Sequence, residues 1–524
     1  MVHLSLIKED PMLSPSTRPI RDLLPGLPIL MKIGSTNIKI SQITHNSKDV
    51  MPRSLFVAIR GYAVDGHTFI PEAIHRGASC IVLEDPSWIP PRPPALFIQV
   101  ANSRKALALL ASNYQHNPTR KLTLIGITGT NGKTTLTYLL ESILNRANIP
   151  SGVIGTINYR FGSKTIEAKT TTPDPLILQE ILSEMLASGV RTVSMEVSSH
   201  ALSLHRVEGC HFDLAVWTNL SQDHLDFHHT MEDYFKAKEA LFTHHLSISA
   251  KQNKGAVINI DDKYGKRLTR SLSSFPILTY GRSPKADVHP IKTELSSSET
   301  SLSVQTPKGI MNIKSNLIGY HNQMNILSAI ATSVALNLPN SAIIKGLRNV
   351  IVPGRLQPIY NSLNIGILVD YAHTPDALEN ALKSIKHLTN GRIITVFGCG
   401  GDRDRGKRPM MGSIAERLSN LVIITNDNPR TEDPSTILSE IEAGIQDMPL
   451  VSEEALTTAP RGYLKTPDRK QAIYLAIQSA SPGDIVLIAG KGHEPYQIIG
   501  TTKIPFLDAN IAREAVRKKA GTKG

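Results

Sequence analysis

The sequence predicts an α/β protein of three domains: a small α/β N-terminal domain, a central P-loop-type doubly wound domain, and a C-terminal Rossmann-like α/β domain. Three observations carry this. Apolar, β-branched runs alternate with stretches of helical period between residues 121 and 351, the pattern of a parallel sheet covered on both faces. The same alternation restarts near Val352-Pro-Gly-Arg-Leu356. A chain of 524 residues is also too long for a single hydrophobic core. The expected domain spans are 20–117, 118–352 and 353–524.

In the first span, 38–43, 54–59, 80–83 and 96–100 read as strands, 71–76 as a short helix and 104–114 as a longer one. Trp88-Ile-Pro-Pro-Arg-Pro-Pro94 is a surface loop, and Gln115-His-Asn-Pro-Thr-Arg120 a linker. In the second span, 122–128 is a buried strand, 191–195 another, and 231–241 a helix, while 276–315 breaks the rhythm as an antiparallel insertion. The third span places strands at 365–369, 392–397, 421–425 and 485–489, with helices at 375–387 and 407–418. Ligands of such sheets bind at strand ends and the loops that follow them, so motifs at those points matter most.

Composition narrows the function classes. With 41% hydrophobic and 19% charged residues, the chain reads as an ordinary water-soluble protein, and no apolar run reaches the length of a membrane span. The first nineteen residues carry Lys8, Glu9, Asp10 and several prolines instead of the apolar centre of a signal peptide. Cys80, Cys210 and Cys399 are far apart and lack metal spacing, which suits a reducing cytoplasm. The net charge of +12 invites a nucleic-acid partner, but the basic residues are scattered apart from a short tail (Arg513, Arg517, Lys518, Lys519, Lys523) that reads as a solvated end. No RNA-binding motif or zinc finger accompanies them, and a positive balance equally steers polyanionic substrates to a cleft.

The most informative stretch is Lys121-Leu-Thr-Leu-Ile-Gly-Ile-Thr128-Gly-Thr-Asn-Gly-Lys133-Thr-Thr-Leu-Thr-Tyr-Leu-Leu140. A strand runs into a Gly-rich turn and then a helix, so backbone N–H groups and the helix dipole favour an anion at the turn. Lys133 would reach the outer phosphates of ATP, and the Thr134 hydroxyl would bind Mg²⁺. Gly129, Thr130, Asn131, Gly132 and Thr135 complete the candidate loop. It is a shortened form: Gly129 lies three positions before Gly132, and Ile127 stands where the strict pattern has its first Gly. An ordinary βα turn is the bland alternative, and the legible strand and helix on either side weigh against it.

Further along, Glu196-Val-Ser-Ser-His200 follows an apolar run, so Glu196 is placed to complete an Mg²⁺ shell or, more simply, to cap a helix. Trp217-Thr-Asn-Leu-Ser-Gln-Asp-His224-Leu-Asp-Phe-His228-His229 holds more polar residues than a loop requires. Asp223 and His224, nearest the strand end, read as functional, and His228 and His229 as a solvated turn. Lys236 and Lys238 on the next helix read from spacing alone as a charged face.

Glu-Val-Ser-Ser-His200, then Thr-Asn-Leu-Ser-Gln-Asp-His-Leu-Asp226, then Tyr234-Phe-Lys-Ala-Lys238 resemble the central domain of the Mur ligases, and the shortened loop resembles that of the Mur ligase and folylpolyglutamate synthetase superfamily. The resemblance spans nearly the whole chain. Asn46-Ser47-Lys48, Leu55-Phe-Val-Ala58 and Gly61-Tyr-Ala-Val-Asp-Gly-His67 resemble the uridine-binding N-terminal domain of the family's third ligase, with Asn-Ser-Lys replacing the usual Asp-Ser-Arg. Thr170-Thr171-Thr172-Pro173 resembles its substrate-phosphate loop, Ser198 and Arg206 its contacts to a UDP-muramoyl group, and Asn322 and Asn325 its nucleotide contacts. Val369-Asp-Tyr-Ala-His373-Thr-Pro-Asp-Ala-Leu378 and Gly398-Cys-Gly-Gly-Asp-Arg403-Asp-Arg-Gly-Lys-Arg-Pro409 match the C-terminal domain, where a helix cap and a solvated basic loop are the plain alternatives. Arg403, Asp427-Asn428-Pro429-Arg430, Gly490 and Glu494 match its amino-acid pocket.

The resemblance implies a cytoplasmic, monomeric, ATP-dependent ligase of peptidoglycan precursor synthesis that adds meso-diaminopimelate to a UDP-N-acetylmuramoyl dipeptide through an acyl phosphate. It implies that Lys238 carries a CO₂-derived carbamate, and that Lys133, Thr134, Glu196, His224 and the modified Lys238 hold ATP and Mg²⁺. No nucleic-acid partner and no membrane span are expected. Two rivals remain: a folylpolyglutamate synthetase-like ligase, opposed by the N-terminal match and by Asp427-Asn-Pro-Arg430, and a nucleic-acid-stimulated ATPase.

Overall fold

A computed structural model describes residues 17–61, 64–296 and 299–521. Tyr62 and Ala63 of the Gly61–His67 motif, the first sixteen residues and Lys523 lie outside them. The chain divides into two compact units. One runs through Lys133 and takes in Asn148–Ile258 and Asp262–Ile277, and the other comprises Thr134–Ala147, Asn259–Asp261 and the residues from Leu278 onward.

In the first unit, five strands order as Ile29–Ile33, Leu96–Val100, Cys80–Leu83, Ser54–Val57 and Gln42–Thr44, parallel except for the first pair. Ser54–Val57 and Cys80–Leu83 are buried at every position, as a parallel sheet covered on both faces requires. One apolar layer forms beneath the helix Ser103–Tyr114 and another beneath Ile70–His75. Where the sequence predicts one strand over 38–43, the chain breaks at Ser41 into Lys39–Ile40 and Gln42–Thr44. Strand Ile29–Ile33, antiparallel at the sheet edge and only half-buried, was not anticipated.

The larger sheet orders as Lys164–Glu167, Asn158–Phe161, Ser151–Ile154, Thr192–Glu196, Thr123–Thr128, Leu214–Trp217, Gly255–Asn259 and Ile277–Tyr280. Its middle is parallel, as expected, but Ser151–Glu167 adds an antiparallel edge. The links between those edge strands are too short for a crossover helix, which leaves hairpin pairing as the only geometry. The expected helix over 231–241 ends at Ala240 and continues as a π-helical turn, Leu241–Leu246.

The expected antiparallel insertion exists as the three-stranded sheet His289–Leu295, Thr300–Thr306 and Gly309–Ser315 in the second unit, whereas Ile277–Tyr280 belongs to the larger sheet instead. The remaining sheet orders as Gln357–Pro358, Gly366–Asp370, Ile485–Ala489, Ile393–Phe397, Leu421–Ile424 and Gly462–Lys465. All but the first pair are parallel. Helices Pro375–Lys386, Lys407–Leu418 and Pro434–Glu442 pack on one face, and Arg469–Ser479 and Asp508–Gly521 on the other. The C-terminal ends of four adjacent strands therefore share one rim, and each of the four motifs of this region leaves from one of them. None of the described helices is long and apolar enough to cross a membrane.

Candidate active site

The phosphate loop joins strand Thr123–Thr128 to helix Lys133–Arg146. Gly129 holds φ 141°, and a Cβ there would collide with the Thr218 hydroxyl, so only glycine fits. The neighbouring strand Leu214–Trp217 delivers a clamp. Thr130 N–H donates to Asn219 O at 2.8 Å, Asn131 N–H to Asn219 Oδ1 at 3.0 Å, and Thr218 Oγ1 to Asn131 O at 2.7 Å. Thr218, Asn219 and Ser221 stand in the sequence only as part of the family-like Thr-Asn-Leu-Ser stretch, with no role given; in the structure they fix the loop. Tyr234, which the sequence offers only as part of the family-like Tyr234–Lys238 stretch with no role of its own, has its hydroxyl 3.2 Å from Thr130 Oγ1.

Two lysines meet on one carbonyl. Lys133 Nζ donates to Gly129 O and Thr130 O, each at 2.8 Å, and Lys238 Nζ donates to the same Gly129 O at 2.9 Å. Lys238 is 1% exposed, its Nζ 4.7 Å from the Tyr234 ring centre. Burial, reinforced by the positive charge of Lys133, holds its amine well below the ordinary lysine range. This corrects the charged-face reading of the helix for Lys238, while Lys236 is indeed exposed. Two residues apart on a helix means about 200°, hence opposite faces.

Glu196, buried at the end of the strand beside the loop, accepts from Thr156 N–H and Thr156 Oγ1, both at 3.0 Å. It is thus held in place by a Thr in the turn between Ser151–Ile154 and Asn158–Phe161, and the helix cap is Ser198, whose Oγ accepts from Ala201 N–H at 3.2 Å. Thr172 Oγ1 donates to Glu196 O at 2.9 Å and accepts from Ser198 N–H at 3.1 Å, and Arg206 Nη1 donates to Thr172 O at 2.9 Å. Thr171 Oγ1 lies 3.1 Å from Thr156 Oγ1. Of the residues expected to meet a UDP substrate, Thr171, Thr172, Ser198 and Arg206 form one bonded cluster around Glu196, and Ser47 stands outside it. Arg206 also lines a cavity of about 360 Å³ with Asn46, Ser47, Lys48 and Arg104. Ser47 Oγ donates to Glu72 at 2.8 Å on that cavity's wall.

His224 takes a left-handed conformation, φ 54°, with its ring 4.9 Å from that of His200. Burial lowers its pKa, so it is a neutral nitrogen donor at neutral pH. His228 is not in a solvated turn. It is 5% exposed among His200, Phe227 and Tyr234, and burial pushes it down to about 4.

In the second unit, Asn322 Nδ2 donates to Ile318 O at 2.9 Å and Asn325 Nδ2 to Asn322 Oδ1 at 3.0 Å, both buried on helix Tyr320–Ala335. At the rim of the six-stranded sheet, Asn428 Nδ2 donates to Glu494 at 2.9 Å, and Asn428 Oδ1 accepts from Lys491 Nζ at 3.1 Å. Lys491 also bonds Glu494 at 2.9 Å. Burial alone would raise the Glu494 pKa, but Lys491 and Asn428 outweigh it and hold the carboxylate below its usual range. Gly490, at φ 113°, passes so close to Asp427 that a Cβ would lie 2.5 Å from its Oδ2. Arg430 Nη1 donates to Gly401 O at 2.7 Å, and Arg430 and Arg403 both flank Gly400. The loop bearing Arg403 is braced by Arg408, fully buried, which bonds Glu432, Glu440 and Gly400 O. The plain alternative of a solvated basic loop fails for Arg408, because spacing shows its charge and not the two acids it meets across the fold.

Comparison with known proteins identifies the family. The Mur ligase family, catalytic domain, matches residues 39–115, the Mur ligase middle domain 127–333, and the Mur ligase, glutamate ligase domain 354–492. The chain belongs to the Mur ligase family. A UDP-N-acetylmuramoyl-L-alanyl-D-glutamate--2,6-diaminopimelate ligase of Geobacter metallireducens is 47% identical over 491 residues, 93% of this chain and 96% of that protein. The enzyme of the same name from Geobacillus thermodenitrificans is 42% identical over 505 residues, 95% and 99% of the two chains. A solved structure of a ligase with this name aligns with a TM-score of 0.71 at 31% identity, covering 96% of this chain and all of that one. A Mycobacterium tuberculosis folylpolyglutamate synthase shares the fold, at TM-score 0.59 and 16% identity.

Proposed function

We propose that this chain is an ATP-dependent ligase that joins meso-2,6-diaminopimelate to UDP-N-acetylmuramoyl-L-alanyl-D-glutamate, a cytoplasmic step of peptidoglycan precursor synthesis carried out by the monomer. The observation that carries the reading is the pair of lysines on Gly129 O, beside a buried, oriented Glu196, in a chain so similar to ligases of that name. The domains at 20–117, 118–352 and 353–524 would take the uridine end, ATP and the amino acid respectively.

The γ-phosphoryl group passes from ATP to an oxygen of the D-glutamate side-chain carboxylate, releasing ADP and leaving an acyl phosphate. The incoming amine then attacks the acyl carbon, the C–N bond forms, the amine loses a proton, and phosphate departs. Lys133 offsets the charge on the transferring group, and Arg206 with the Thr171–Thr172 turn positions the acceptor. Among the rim residues, Arg430 and Arg403 receive the distal carboxylate of diaminopimelate, and Glu494, Asp427 and Asn428 its ammonium.

Of the residues that fit a Mg²⁺ site, Thr134, Glu196 and Lys238 are buried and His224 is exposed. Thr134, Glu196 and His224 are hard or borderline donors, and Lys238 fits as a carbamate because burial favours the neutral amine, the form that adds CO₂. The adduct is an anion, so it replaces repulsion from Lys133 by attraction. When bound, the metal supplies charge neutralisation on the phosphates.

The test is phosphate release by the full chain. It should require UDP-dipeptide and meso-diaminopimelate together. Release with folate and glutamate, or release stimulated by DNA or RNA, would replace this reading.

A further inference from the structure

Away from the phosphate loop, a second set of titratable side chains closes around one carboxylate. Glu208 is 1% exposed. Lys105 Nζ lies 3.2 Å from its Oε1, His244 Nε2 3.1 and 3.3 Å from its two oxygens, and His205 Nδ1 3.7 Å from Oε2. His245 is 2% exposed, and its Nδ1 has no hydrogen-bond partner. One donor atom each from Glu208, His244 and His245 lies within 4.8 Å of the others.

A hydrogen-bonded ion cluster accounts for Lys105, His205 and His244 on Glu208, but it leaves the buried nitrogen of His245 unexplained. That nitrogen, buried and without a hydrogen-bond partner, is placed to serve as a ligand atom. His244 and His245 lie in the π-helical turn Leu241–Leu246, and such turns concentrate at functional sites. His205 adopts φ 55°, a left-handed conformation uncommon outside glycine. For bonds of roughly 2.0–2.1 Å, a tetrahedral site has edges of about 3.3–3.4 Å. The His244–Glu208 separation already matches, and the His205–Glu208 separation is slightly longer.

We propose that Glu208, His244, His245 and His205 bind one divalent transition-metal ion of the Zn²⁺ class, at a site separate from the Mg²⁺ of catalysis. Three imidazoles and a carboxylate suit such an ion, whereas Mg²⁺ prefers oxygen. Lys105 remains on the outer oxygen of Glu208 and moderates the affinity. The site joins the turn after the Lys238 helix to the segment carrying Arg206, so occupancy would brace two parts of the ligase site.

The experiment is titration of the full chain with Zn²⁺ by calorimetry and with Co²⁺ by visible absorption, in excess Mg²⁺. The expected result is one saturable equivalent with tetrahedral Co²⁺ bands. His244→Ala should weaken it about tenfold or more, and His245→Gln should do the same. His244 is partly exposed, so His244→Ala should stay folded, which circular dichroism and the thermal midpoint check. His200→Ala is the control for the three imidazoles near the phosphate loop and should leave this binding intact. Unchanged binding in folded His244→Ala and His245→Gln, loss of the equivalent in His200→Ala, or no saturable binding at all would each overturn the proposal.

Discussion

Lys238→Met separates the chemical from the structural role of the buried lysine. The side chains are similar in length, so the substitution fills the same space and removes only the amine. Gly129 O does not become an orphan, because Lys133 Nζ still reaches it at 2.8 Å. Removing a desolvated amine beside a second positive charge should leave stability unchanged or raise it slightly. Turnover should instead fall by about a hundredfold or more, the scale seen when one preorganised electrostatic partner of a transition state is removed. Lys238→Ala, by contrast, empties a fully buried site of three methylenes and the amine, at a cost of about 2 kcal/mol in stability. It leaves room for a small carboxylate, so acetate or formate should restore part of its activity but none of that of Lys238→Met. The assay is phosphate release with UDP-dipeptide and meso-diaminopimelate, alongside urea unfolding of each variant. Near-normal turnover in folded Lys238→Met would refute both the carbamate and the role of Lys238 at the phosphates.

Lys133→Ala should lower kcat about a hundredfold while KM for ATP changes less, because its contact tightens as the phosphoryl group leaves; pre-steady-state phosphate release distinguishes this from a binding defect. Wild type should prefer meso-diaminopimelate to lysine by roughly a hundredfold or more in kcat/KM, since lysine leaves a desolvated guanidinium unpaired. Arg430→Lys should lose most of that preference, because an ammonium cannot reproduce the planar fork; equal specificity constants in wild type would dismiss the pocket. Burial depresses His321 to about 4, so its neutral form contributes stability above pH 6.5 that is lost as pH falls through about 4. Urea midpoints measured across that window should decline less in His321→Gln, and parallel declines would exclude His321 as the cause.

The strands and helices that carry the C-terminal motifs were legible because each long motif follows an apolar run, and the strand Ile485–Ala489 and helix Lys407–Leu418 have the boundaries expected. Ser151–Glu167 was not, since hairpins of four-residue strands carry too little periodicity to register. In the site, types of residue could be read but not their company. Nothing local announces that Thr156 orients Glu196 from forty positions away, or that Lys238 shares a carbonyl with Lys133. Burial was the hidden variable for His228, Lys238 and Arg408 alike, because polar residues in a charged stretch look solvated until the fold brings their partners.

The clamp from Thr218 and Asn219 onto the phosphate loop spans 87 to 89 residues of chain. A cradle of this kind does not exist in any local fragment: it forms only when Leu214–Trp217 pairs with Thr123–Thr128. Nucleotide affinity is therefore a readout of that strand pairing, and bound nucleotide should in turn hold the two strands together. Amide exchange in the Thr123–Thr128 and Leu214–Trp217 strands should slow more on adding ATP than anywhere in the sheet of the C-terminal motifs. The pairing of these two strands separates a chain that merely has a phosphate loop in its sequence from one that can hold a phosphate.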